Sequence, residues 1–412
     1  MTAGRLLAKL LRFKGFRVVS WWFEGRSDFV VAVKPYKNGC RCPECGQRGR
    51  IVRTLPARRW RDVRVCGRTL WLLYGPREIQ CRAHGRVTEV IPWADRYARI
   101  SYRFEYVLLR FCQIMPQKAA AELLGIAKST LSDLLHRSVV RVRAGHRIRD
   151  LKTMGIDEIS YAHGHKYATL VYDLDRACVV WVGRGKGRET IDAFFKQAVS
   201  ASQKARIRWA CCDMSEAYMG AIRSHCPDAT LVIDRFHVVK ALNAAVDEVR
   251  KEQWRNADAA DRKMLKGLRW LLYRHSSTRT RKDTRTLRVL EKANRRIYRA
   301  WRLKDEFEQF WEYLMPAAAE RFLKSWTTAA LRSRLEPLRR FVHTLRRHAS
   351  GILGFIDTGL TNAVAEGLNR LVRIVNNRAS GFRTLDAFTD MIFLTVGDID
   401  IPGSIPIRFH TL

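Results

Sequence analysis

The chain has 412 residues, of which 47% are hydrophobic, so it is long enough for about two to four domains with ordinary cores. Its 76 Lys and Arg residues outnumber its 40 Asp and Glu residues along the whole sequence, which gives a formal net charge of +36. This charge favours a polyanionic partner, most simply nucleic acid. The alternative is a generally basic protein from a GC-rich genome.

Residues 1–35 are predicted to form a short basic helix and two strands, FRVVSWWF and DFVVAVKP. Arg and Lys interrupt the apolar part of the helix and no clean cleavage site follows, so we predict no signal peptide. An amphipathic helix on a membrane surface over residues 4–14 is an alternative. The longest apolar runs are too short to span a bilayer, so we expect no membrane partner. Three cysteines crowd into CRCPECG, which suggests a metal in a reducing cytosol, and together with the basic charge this predicts a cytoplasmic, nucleoid-associated protein.

Residues 36–95 carry two short metal-binding motifs, one in CRCPECG and one in REIQCRAHG. The first is a C-x-x-C pair and the second a C-x-x-H pair, and strand-like sequence lies between them, which is typical of a zinc ribbon. The predicted ligands are Cys42, Cys45, Cys81 and His84. Four protein ligands leave no open position, so we predict one structural Zn²⁺. Cys40 and Cys66 are alternative ligands.

Residues 100–148 are predicted to be helical, with a turn at Gly125. Apolar residues recur at helical spacing after this turn and form a predicted buried stripe, Leu131, Leu134, Leu135 and Val139. Polar residues occupy the other faces of the same helix: Lys128, Ser129, Thr130, Asp133 and Arg137. This pattern favours a helix-turn-helix whose second helix enters the major groove of DNA. An ordinary helical hairpin is the alternative.

Residues 150–240 alternate between strand and helix patterns in the order three strands, helix, strand, helix, strand. This is the order of a ribonuclease-H-like α/β fold, in which the first and fourth strands are neighbours, roughly 5 Å apart. Asp157 in the first strand and Asp213 at the end of the fourth are then expected to face each other. Two carboxylates at that distance cannot both stay ionised without a cation, so we predict two Mg²⁺ (or Mn²⁺) ions.

A third carboxylate is expected from a helix after the fifth strand, and TNAVAEGLNRLVRIVNNRASGFR supplies Glu366. The predicted apolar face of this helix comprises Val364, Leu368, Leu371, Val372 and Val375. The predicted opposite face combines the glutamate with Asn369, Arg370, Arg373 and Asn377, a pattern that indicates a metal ligand beside DNA-contacting groups. A solvated face of ion pairs is the alternative. The charged helical stretch 241–350 is predicted to be an insertion between the fifth strand and this helix.

The motifs GIDE, DMSEAY, DRFHVVKALN and TNAVAEGLNRLVRIVNNRASGFR, in this order, closely resemble the ISL3 family of bacterial insertion-sequence transposases. The resemblance covers nearly the whole chain. It implies a zinc ribbon, a helix-turn-helix and a DDE catalytic domain of ribonuclease-H-like fold split by a helical insertion, with the core in residues 150–240 and 351–400. It also implies that Asp157, Asp213 and Glu366 are the catalytic residues and metal ligands. His84 departs from the family pattern, which is mainly Cys at that position.

The resemblance also includes Asp234 and His237 in DRFHVVK. The fifth strand lies one strand beyond the fourth, so Asp234 is expected about 10 Å from Asp157, too far for a shared ion. Both residues are therefore predicted to be accessory, although His237 alone is equally compatible with a structural role. A triad of Asp157, Asp213 and Asp234 is the alternative. The predicted DNA-binding residues are Lys128, Ser129, Thr130, Arg137, Asn369, Arg370, Arg373, Asn377, Arg378 and Arg383.

Together these features predict a metal-dependent transposase that binds the terminal inverted repeats of an insertion sequence, cleaves the strand and joins it to target DNA. Its expected partners are double-stranded DNA and, in the synaptic complex, a second copy of the chain. No nucleotide cofactor is expected, because the glycine-rich GRGKGRET lacks the spacing of a P-loop. The alternatives are a DNA-binding regulator without cleavage and a nuclease of the same fold without strand transfer.

Overall fold

The computed structural model describes residues 3–11, 15–36, 40–144, 148, 150–162, 164, 166–360, 363–397 and 399. The chain divides into two compact units, one within residues 1–146 and one within residues 147–398. Both combine sheets with helices, so the chain is a multidomain α/β protein. Across the described ranges, no helix has the length and apolar character needed to cross a membrane.

The first unit begins with a helix, continues through eight strands and ends in three helices. In chain order these elements are α1 (Ala3–Leu11), β1 (Phe16–Glu24), β2 (Asp28–Pro35), β3 (Cys40–Arg41), β4 (Arg48–Thr54), β5 (Arg58–Val65), β6 (Arg68–Tyr74), β7 (Arg77–Cys81), β8 (Gly85–Thr88), α2 (Tyr102–Ile114), α3 (Gln117–Leu124) and α4 (Lys128–Ala144). The predicted N-terminal helix and its two following strands are present as α1, β1 and β2.

Four strands of this unit form a sheet in the order β1-β2-β6-β5. The parallel pairing of β2 with β6 joins two antiparallel hairpins. The strands β5 and β6, which lie between the two cysteine motifs, therefore complete the N-terminal sheet. The predicted boundary at residue 35 does not anticipate the pairing of β2 with β6. The physical reason is a shared core, in which Val31 of β2 packs with Trp60 of β5 and Leu70 of β6.

The remaining four strands form a second, smaller sheet in the order β3-β4-β7-β8. Its buried apolar cluster contains Cys40, Cys42, Ile79, Cys81 and Val87. So few apolar side chains supply little stabilisation, and a structure of this size ordinarily needs a further crosslink. A buried ion pair next to the cluster joins Arg77 to Glu89 at 2.8 Å, and the Tyr74 hydroxyl donates to Glu89 at 2.6 Å.

The helices α3 and α4 meet at a tight turn. Gly125 ends α3 in the left-handed conformation, with a φ of 63° that other residues adopt at a cost of about 1 kcal/mol or more. The Arg61 guanidinium, which comes from β5, donates hydrogen bonds to the carbonyls of Leu124 and Gly125 at 2.6 and 2.5 Å. Because these carbonyls lie at the negative end of the α3 dipole, the arginine ties the turn to the neighbouring sheet.

The burial pattern of α4 follows the prediction. The predicted apolar stripe is buried, at Leu131, Leu134, Leu135 and Val139. The predicted DNA-facing residues are exposed, at Lys128, Ser129, Thr130 and Arg137. The apolar side of α4 is thus used for packing within the unit, and its polar side is available to a partner.

The second unit contains a five-stranded sheet and most of the helices of the chain. Its elements are β9 (Thr153–Ala162), β10 (Lys166–Asp173), β11 (Cys178–Arg184), α5 (Arg188–Gln197), α6 (Ala201–Lys204), β12 (Trp209–Cys212), α7 (Glu216–His225), β13 (Thr230–Ile233), α8 (Arg235–Arg255), α9 (Ala259–Leu265), α10 (Leu268–Tyr273), α11 (Arg281–Ala293), α12 (Arg295–Phe307), α13 (Pro316–Arg332), α14 (Glu336–Arg347), α15 (Ala349–Thr358), α16 (Ala363–Arg378) and α17 (Leu385–Val396).

The strand order in this sheet is β11-β10-β9-β12-β13. The strands β9, β10 and β11 are antiparallel neighbours, whereas β12 runs parallel to β9 and to β13. The predicted order of strands and helices is confirmed, with the short helix α6 added, and so is the predicted adjacency of the first and fourth strands. The first strand is therefore central, between β10 and β12.

The segment between β13 and the last helices is helical, as predicted, from α8 to α14. Three of its tryptophans, Trp301, Trp311 and Trp326, are buried in its core, whereas Trp254 and Trp270 are exposed. The chain then returns to the sheet through α15, which packs on β13. A Cβ atom at Gly354 would lie 2.7 Å from the Leu231 carbonyl oxygen, so this close approach requires glycine. This return brings α16 against β9.

Candidate active site and metal centre

The first predicted catalytic residue, Asp157, lies on the central strand β9 and is half-buried. Its Oδ1 accepts a hydrogen bond from the Glu158 backbone N–H at 2.7 Å, and its Oδ2 accepts one from the Asn369 side-chain amide. Burial raises the pKa of Asp157, and the negative charge of Asp213 raises it further. The carboxylate is therefore fixed in orientation, but its ionised form is energetically disfavoured.

The second residue, Asp213, directly follows β12, where its Oδ1 accepts a hydrogen bond from the Ser215 backbone N–H at 3.0 Å. The β9–β12 register pairs Gly155 with Cys211, and two further residues along both strands bring Asp157 level with Asp213. Neighbouring strands lie about 4.8 Å apart. The two carboxylates thus occupy adjacent positions on the sheet, in agreement with the expectation from strand order.

The third residue, Glu366, lies in the first turn of α16 and is exposed to solvent. Partial burial raises the pKa of Glu366, and the negative charges of Asp234 and Asp157 raise it further. The negative charge of Asp213 in turn raises the pKa of Asp157. Carboxylates from β9, the end of β12 and α16 therefore share one electrostatic environment.

The accessory residue Asp234 caps α8 at the end of β13 and is 5% exposed. Its Oδ1 accepts a hydrogen bond from the Phe236 backbone N–H at 3.1 Å. Its buried Oδ2 has no hydrogen-bond partner in the described part of the chain, and the His237 Nε2 lies 3.9 Å from it. Because Cys212 pairs with Ile233, Asp234 is level with Asp213, which makes a row of three carboxylates across neighbouring strands.

The donor set at this sheet edge fits a divalent cation. A buried carboxylate oxygen without a hydrogen-bond donor is costly unless positive charge balances it, and Asp234 Oδ2 is such an atom. The raised pKa values of Asp157 and Glu366 share two causes, burial first and then the negative charge of neighbouring carboxylates. Carboxylate oxygens are the ligands that Mg²⁺ and Mn²⁺ prefer. Of the described residues, the group whose ligand atoms are close enough to hold an ion together is Cys42, Cys45, Cys81 and His84, so the carboxylates match Mg²⁺ in chemistry but are more widely spaced.

The face of α16 that packs on the sheet differs from the predicted one. Its buried residues are Ala365, Leu368, Asn369, Val372 and Val375. Val364 and Leu371 are exposed, so their assignment to the apolar face was wrong. Asn369, which we grouped with the DNA-facing residues, is 4% exposed and points to Asp157. The buried stripe is rotated toward Asn369 because this residue finds hydrogen-bond partners inside the unit.

The other polar residues of this region remain accessible. Arg370, Arg373, Asn377 and Arg383 are exposed, and Arg378 is partly buried. The first two lie on α16 within two turns of Glu366. They place positive charge beside the carboxylates, where a phosphate backbone would need it. The neighbouring acid Glu158 is close enough to Lys186 for that ammonium to lower the pKa of Glu158, although burial raises it.

The predicted zinc ligands come together in the first unit. The ligand atoms of Cys42, Cys45, Cys81 and His84 all lie within 4.8 Å of one another. The Cys45 and Cys81 sulfurs are 3.6 Å apart, and the His84 Nδ1 lies 3.7 Å from the Cys42 sulfur. A tetrahedral ion with metal–sulfur bonds of about 2.3 Å separates its sulfur ligands by about 3.8 Å, so this spacing fits such an ion.

The chemistry of the cluster also suits a metal. Hydrogen bonding with the His84 side chain lowers the pKa of the Cys81 thiol to about 6, which favours the thiolate that a metal needs as ligand. Of the two alternative ligands, Cys40 is buried and Cys66 is exposed, and neither belongs to the four-residue cluster. The cluster brings the turn between β3 and β4 together with the turn between β7 and β8.

Sequence reasoning missed two residues that shape these sites. Tyr172 of β10 is fully buried, and its hydroxyl donates a hydrogen bond to Asn369. Arg61 holds the turn between α3 and α4. In β10 the available signal was a tyrosine at the end of the apolar run Leu170–Val171, where a buried hydroxyl usually finds a partner. For Arg61 there was no local signal.

Comparison with known proteins agrees with this geometry. A family model described as a transposase matches residues 154–392, and one described as the helix-turn-helix domain of transposase family ISL3 matches residues 89–139. The transposase for insertion sequence element IS1001 of Bordetella parapertussis is 30% identical over 393 residues, which cover 93% of this chain and 96% of that protein.

Two further proteins are similar to this chain. The transposase for insertion sequence element IS1557 of Mycobacterium tuberculosis is 27% identical over 381 residues, covering 86% of this chain and 85% of that protein. Among solved structures, the Drosophila P element transposase strand transfer complex aligns with a TM-score of 0.36 and 9% identity, covering 73% of this chain and 93% of that chain. The family model that spans more than half of the chain, together with the Bordetella relative, establishes that this protein belongs to the ISL3 family of transposases.

Proposed function

We propose that this chain is a DDE transposase that binds the terminal inverted repeats of an insertion sequence and catalyses strand cleavage and strand transfer. The observation that carries the proposal is the placement of Asp157 and Asp213 at level positions of the neighbouring strands β9 and β12, with α16, which carries Glu366, packed against β9. A DNA-binding regulator has no need of such a cluster, which raises the pKa of two of its own members.

The same topology supports a ribonuclease-H-like core. Its two parts would be residues 150–240 and 351–400, separated by the helical insertion 241–350. The supporting features are the five-strand order with a central first strand and the return of the chain to the sheet through α15 and α16. In this division the zinc ribbon would be the small sheet β3-β4-β7-β8 within residues 36–95, the helix-turn-helix would lie in residues 100–148, and residues 1–35 would share one sheet with β5 and β6.

Asp157, Asp213 and Glu366 would hold two Mg²⁺ or Mn²⁺ ions, with Asp234 and His237 as accessory residues. When bound, two such ions activate the attacking oxygen and stabilise the leaving oxygen of phosphoryl transfer. The chain itself contributes orientation, because the hydrogen bonds to both oxygens of Asp157 fix its carboxylate. Arg370 and Arg373, exposed on α16, would bind the phosphates that flank the cleaved bond.

The proposed chemistry balances without a nucleotide. In the first step a water oxygen attacks the phosphorus at the element end and the P–O3′ bond breaks, so that the flanking DNA keeps a 5′-phosphate and the leaving O3′ of the element strand takes up a proton and becomes a 3′-OH. In the second step this 3′-OH loses its proton and attacks a target phosphodiester, whose own P–O3′ bond breaks. The transesterification forms one phosphodiester bond for each one it breaks, so no ATP is required.

In the first unit, Cys42, Cys45, Cys81 and His84 would hold one structural Zn²⁺ with no open position for catalysis. The ribbon and the helix-turn-helix would bind the element ends, with α4 in the major groove. A second copy of the chain is proposed as the partner in the synaptic complex, since two ends must be cut together. We further propose that the protein acts at the nucleoid in the cytoplasm.

A reconstituted reaction tests the proposal. The purified chain is incubated with Mg²⁺, a linear duplex in which genomic DNA flanks the inverted repeats that bracket its gene, and a circular target plasmid. We expect nicks at the element ends, free 3′-OH termini and products joined to the plasmid. Binding without nicks would identify a regulator, and nicks without joined product would identify a nuclease; either outcome contradicts the proposal.

The DNA-binding role of α4 makes a separate prediction. Replacing the exposed Lys128 or Arg137 by Ala should weaken binding to element-end DNA, because each loses a phosphate or base contact. A lost phosphate contact also lowers the slope of log affinity against log salt by about 1. The measurement is a salt series in a fluorescence anisotropy assay. The control is Lys324→Ala, an exposed lysine paired with Glu320 on α13. Equal affinity and slope for all variants would exclude α4 from the interface.

A further inference from the structure

A chain of hydrogen bonds connects the first catalytic carboxylate to the interior of the second unit. The Tyr172 hydroxyl of β10 donates to Asn369 Oδ1, and the Asn369 amide nitrogen of α16 donates to Asp157 Oδ2. Tyr172 is fully buried and Asn369 is 4% exposed, so water does not compete for the bond between them, whereas the bond to the half-buried Asp157 is only partly shielded. The three residues come from β10, α16 and β9, which makes this connection a product of the tertiary structure.

The chemistry of the three groups determines the direction of the chain. An ionised carboxylate can only accept hydrogen bonds, so the Asn369 amide must present its nitrogen to Asp157 and its oxygen to Tyr172. That oxygen then requires a donor, which the phenol hydroxyl supplies. If the amide were reversed, its oxygen would face the carboxylate and the two would repel. Each group therefore fixes the orientation of the next.

The result is a carboxylate with one donor on each oxygen. Oδ1 is tied to the Glu158 backbone and Oδ2 to Asn369, so the carboxylate plane is set while each oxygen keeps a lone pair for another partner. Hydrogen bonds of this kind orient ligating carboxylates in metal sites, and their loss typically reduces metal affinity about 10–100-fold.

We propose that Asn369 and Tyr172 are positioning residues that hold the Asp157 carboxylate in its metal-binding orientation. Asn369 acts directly on Asp157, and Tyr172 acts through Asn369. This inference rests on the proposed function, because it assumes that Asp157 holds a divalent ion. It assigns Asn369 to the interior of the site, although its position in the sequence beside Arg370 suggests contact with DNA.

The test is the affinity for Mn²⁺, measured by electron paramagnetic resonance of the free ion on the full chain bound to an element-end duplex. We expect Asn369→Ala to weaken Mn²⁺ binding about 10–100-fold and Tyr172→Phe about 10-fold. The double variant should be no weaker than Asn369→Ala, because Tyr172 acts only through the asparagine. DNA affinity should be unchanged in all three.

Two controls keep the test decisive. Tyr161→Phe removes the hydroxyl of another buried tyrosine of the same sheet, whose ring stacks on Phe388, and should bind Mn²⁺ as the parent does. Melting temperatures identify any variant that fails to fold, and Tyr172→Phe, which removes one atom, provides the test if Asn369→Ala unfolds.

The outcomes separate this inference from the proposed function. Unchanged Mn²⁺ affinity in Asp157→Asn would overturn the proposed function itself. Weakened affinity in Asp157→Asn with parental affinity in Asn369→Ala and Tyr172→Phe would overturn only the positioning role. Loss of DNA affinity in Asn369→Ala with Mn²⁺ affinity intact would also overturn it, by making Asn369 a DNA contact. Additive losses in the double variant would contradict action through one chain.

Discussion

Asp157→Asn is expected to abolish cleavage of element-end DNA while binding persists. The substitution keeps the size of the side chain but removes a negative charge from a cluster that also includes Asp213 and Glu366. If the lost ligand withdraws about 4 kcal/mol of transition-state stabilisation, the cleavage rate falls about 10³-fold. The measurement is the single-turnover rate of nicking on labelled element-end duplex, with affinity measured in parallel.

The same variant has an expected effect on stability. Burial and the charge of Asp213 raise the pKa of Asp157 in the folded chain above its unfolded value. The ionised carboxylate therefore destabilises the folded state relative to the unfolded state. This loss of folding stability develops as the pH rises from the pKa of Asp157 in the unfolded chain through its pKa in the folded chain. In the absence of metal at neutral pH, Asp157→Asn should melt at a higher temperature than the parent. Added Mg²⁺ should raise the melting temperature of the parent but not that of the variant.

Asp175→Asn is the matched control, since it makes the same substitution at an exposed aspartate in the turn after β10. It should cleave at the parental rate. In the absence of metal, its melting temperature should equal that of the parent. Parental cleavage by Asp157→Asn would show that the site is assigned to the wrong residues. Loss of cleavage together with loss of DNA binding would point to a folding defect, which the melting temperature reports independently.

Cys42→Ser is expected to remove the bound zinc and to weaken recognition of the element ends. The small sheet that carries this residue has a buried cluster of only a few apolar side chains, so it lacks a core that could replace the metal. Structural zinc contributes about 10–16 kcal/mol of apparent binding free energy in zinc-finger peptides at pH 7. Without it, we expect the sheet to unfold locally while the unit within residues 147–398 stays folded.

The measurement for this prediction is zinc content by mass spectrometry, together with affinity for element-end DNA. Cys66→Ser is the control, because it changes an exposed cysteine outside the cluster of four ligands. It should retain one zinc ion for each chain. A Cys42→Ser protein with parental zinc content would contradict the assignment of the ligands, and a zinc-free protein with parental DNA affinity would exclude the ribbon from end recognition.

The sequence alone was sufficient for the strands of the sheet in the second unit. Runs of apolar and β-branched residues separated by turn residues identified each strand from β9 to β13. Such a run can be recognised without tertiary contacts, because it depends only on neighbouring residues in the sequence. The order of these elements in turn predicted that the first and fourth strands are neighbours, and the parallel pairing of β9 with β12 confirms it. The cysteine ligands were equally accessible, since the two chelating pairs are short local motifs.

The tertiary structure decided the contacts that join distant segments. The pairing of β2 with β6 depends on a shared core rather than on any motif, so a division at residue 35 could not reveal it. The clearest case is Asn369. Periodicity grouped it with the polar residues opposite the predicted apolar face, where contact with DNA was expected. Its burial follows from Tyr172 and Asp157, which lie about 200 residues earlier in the chain and satisfy both ends of its amide.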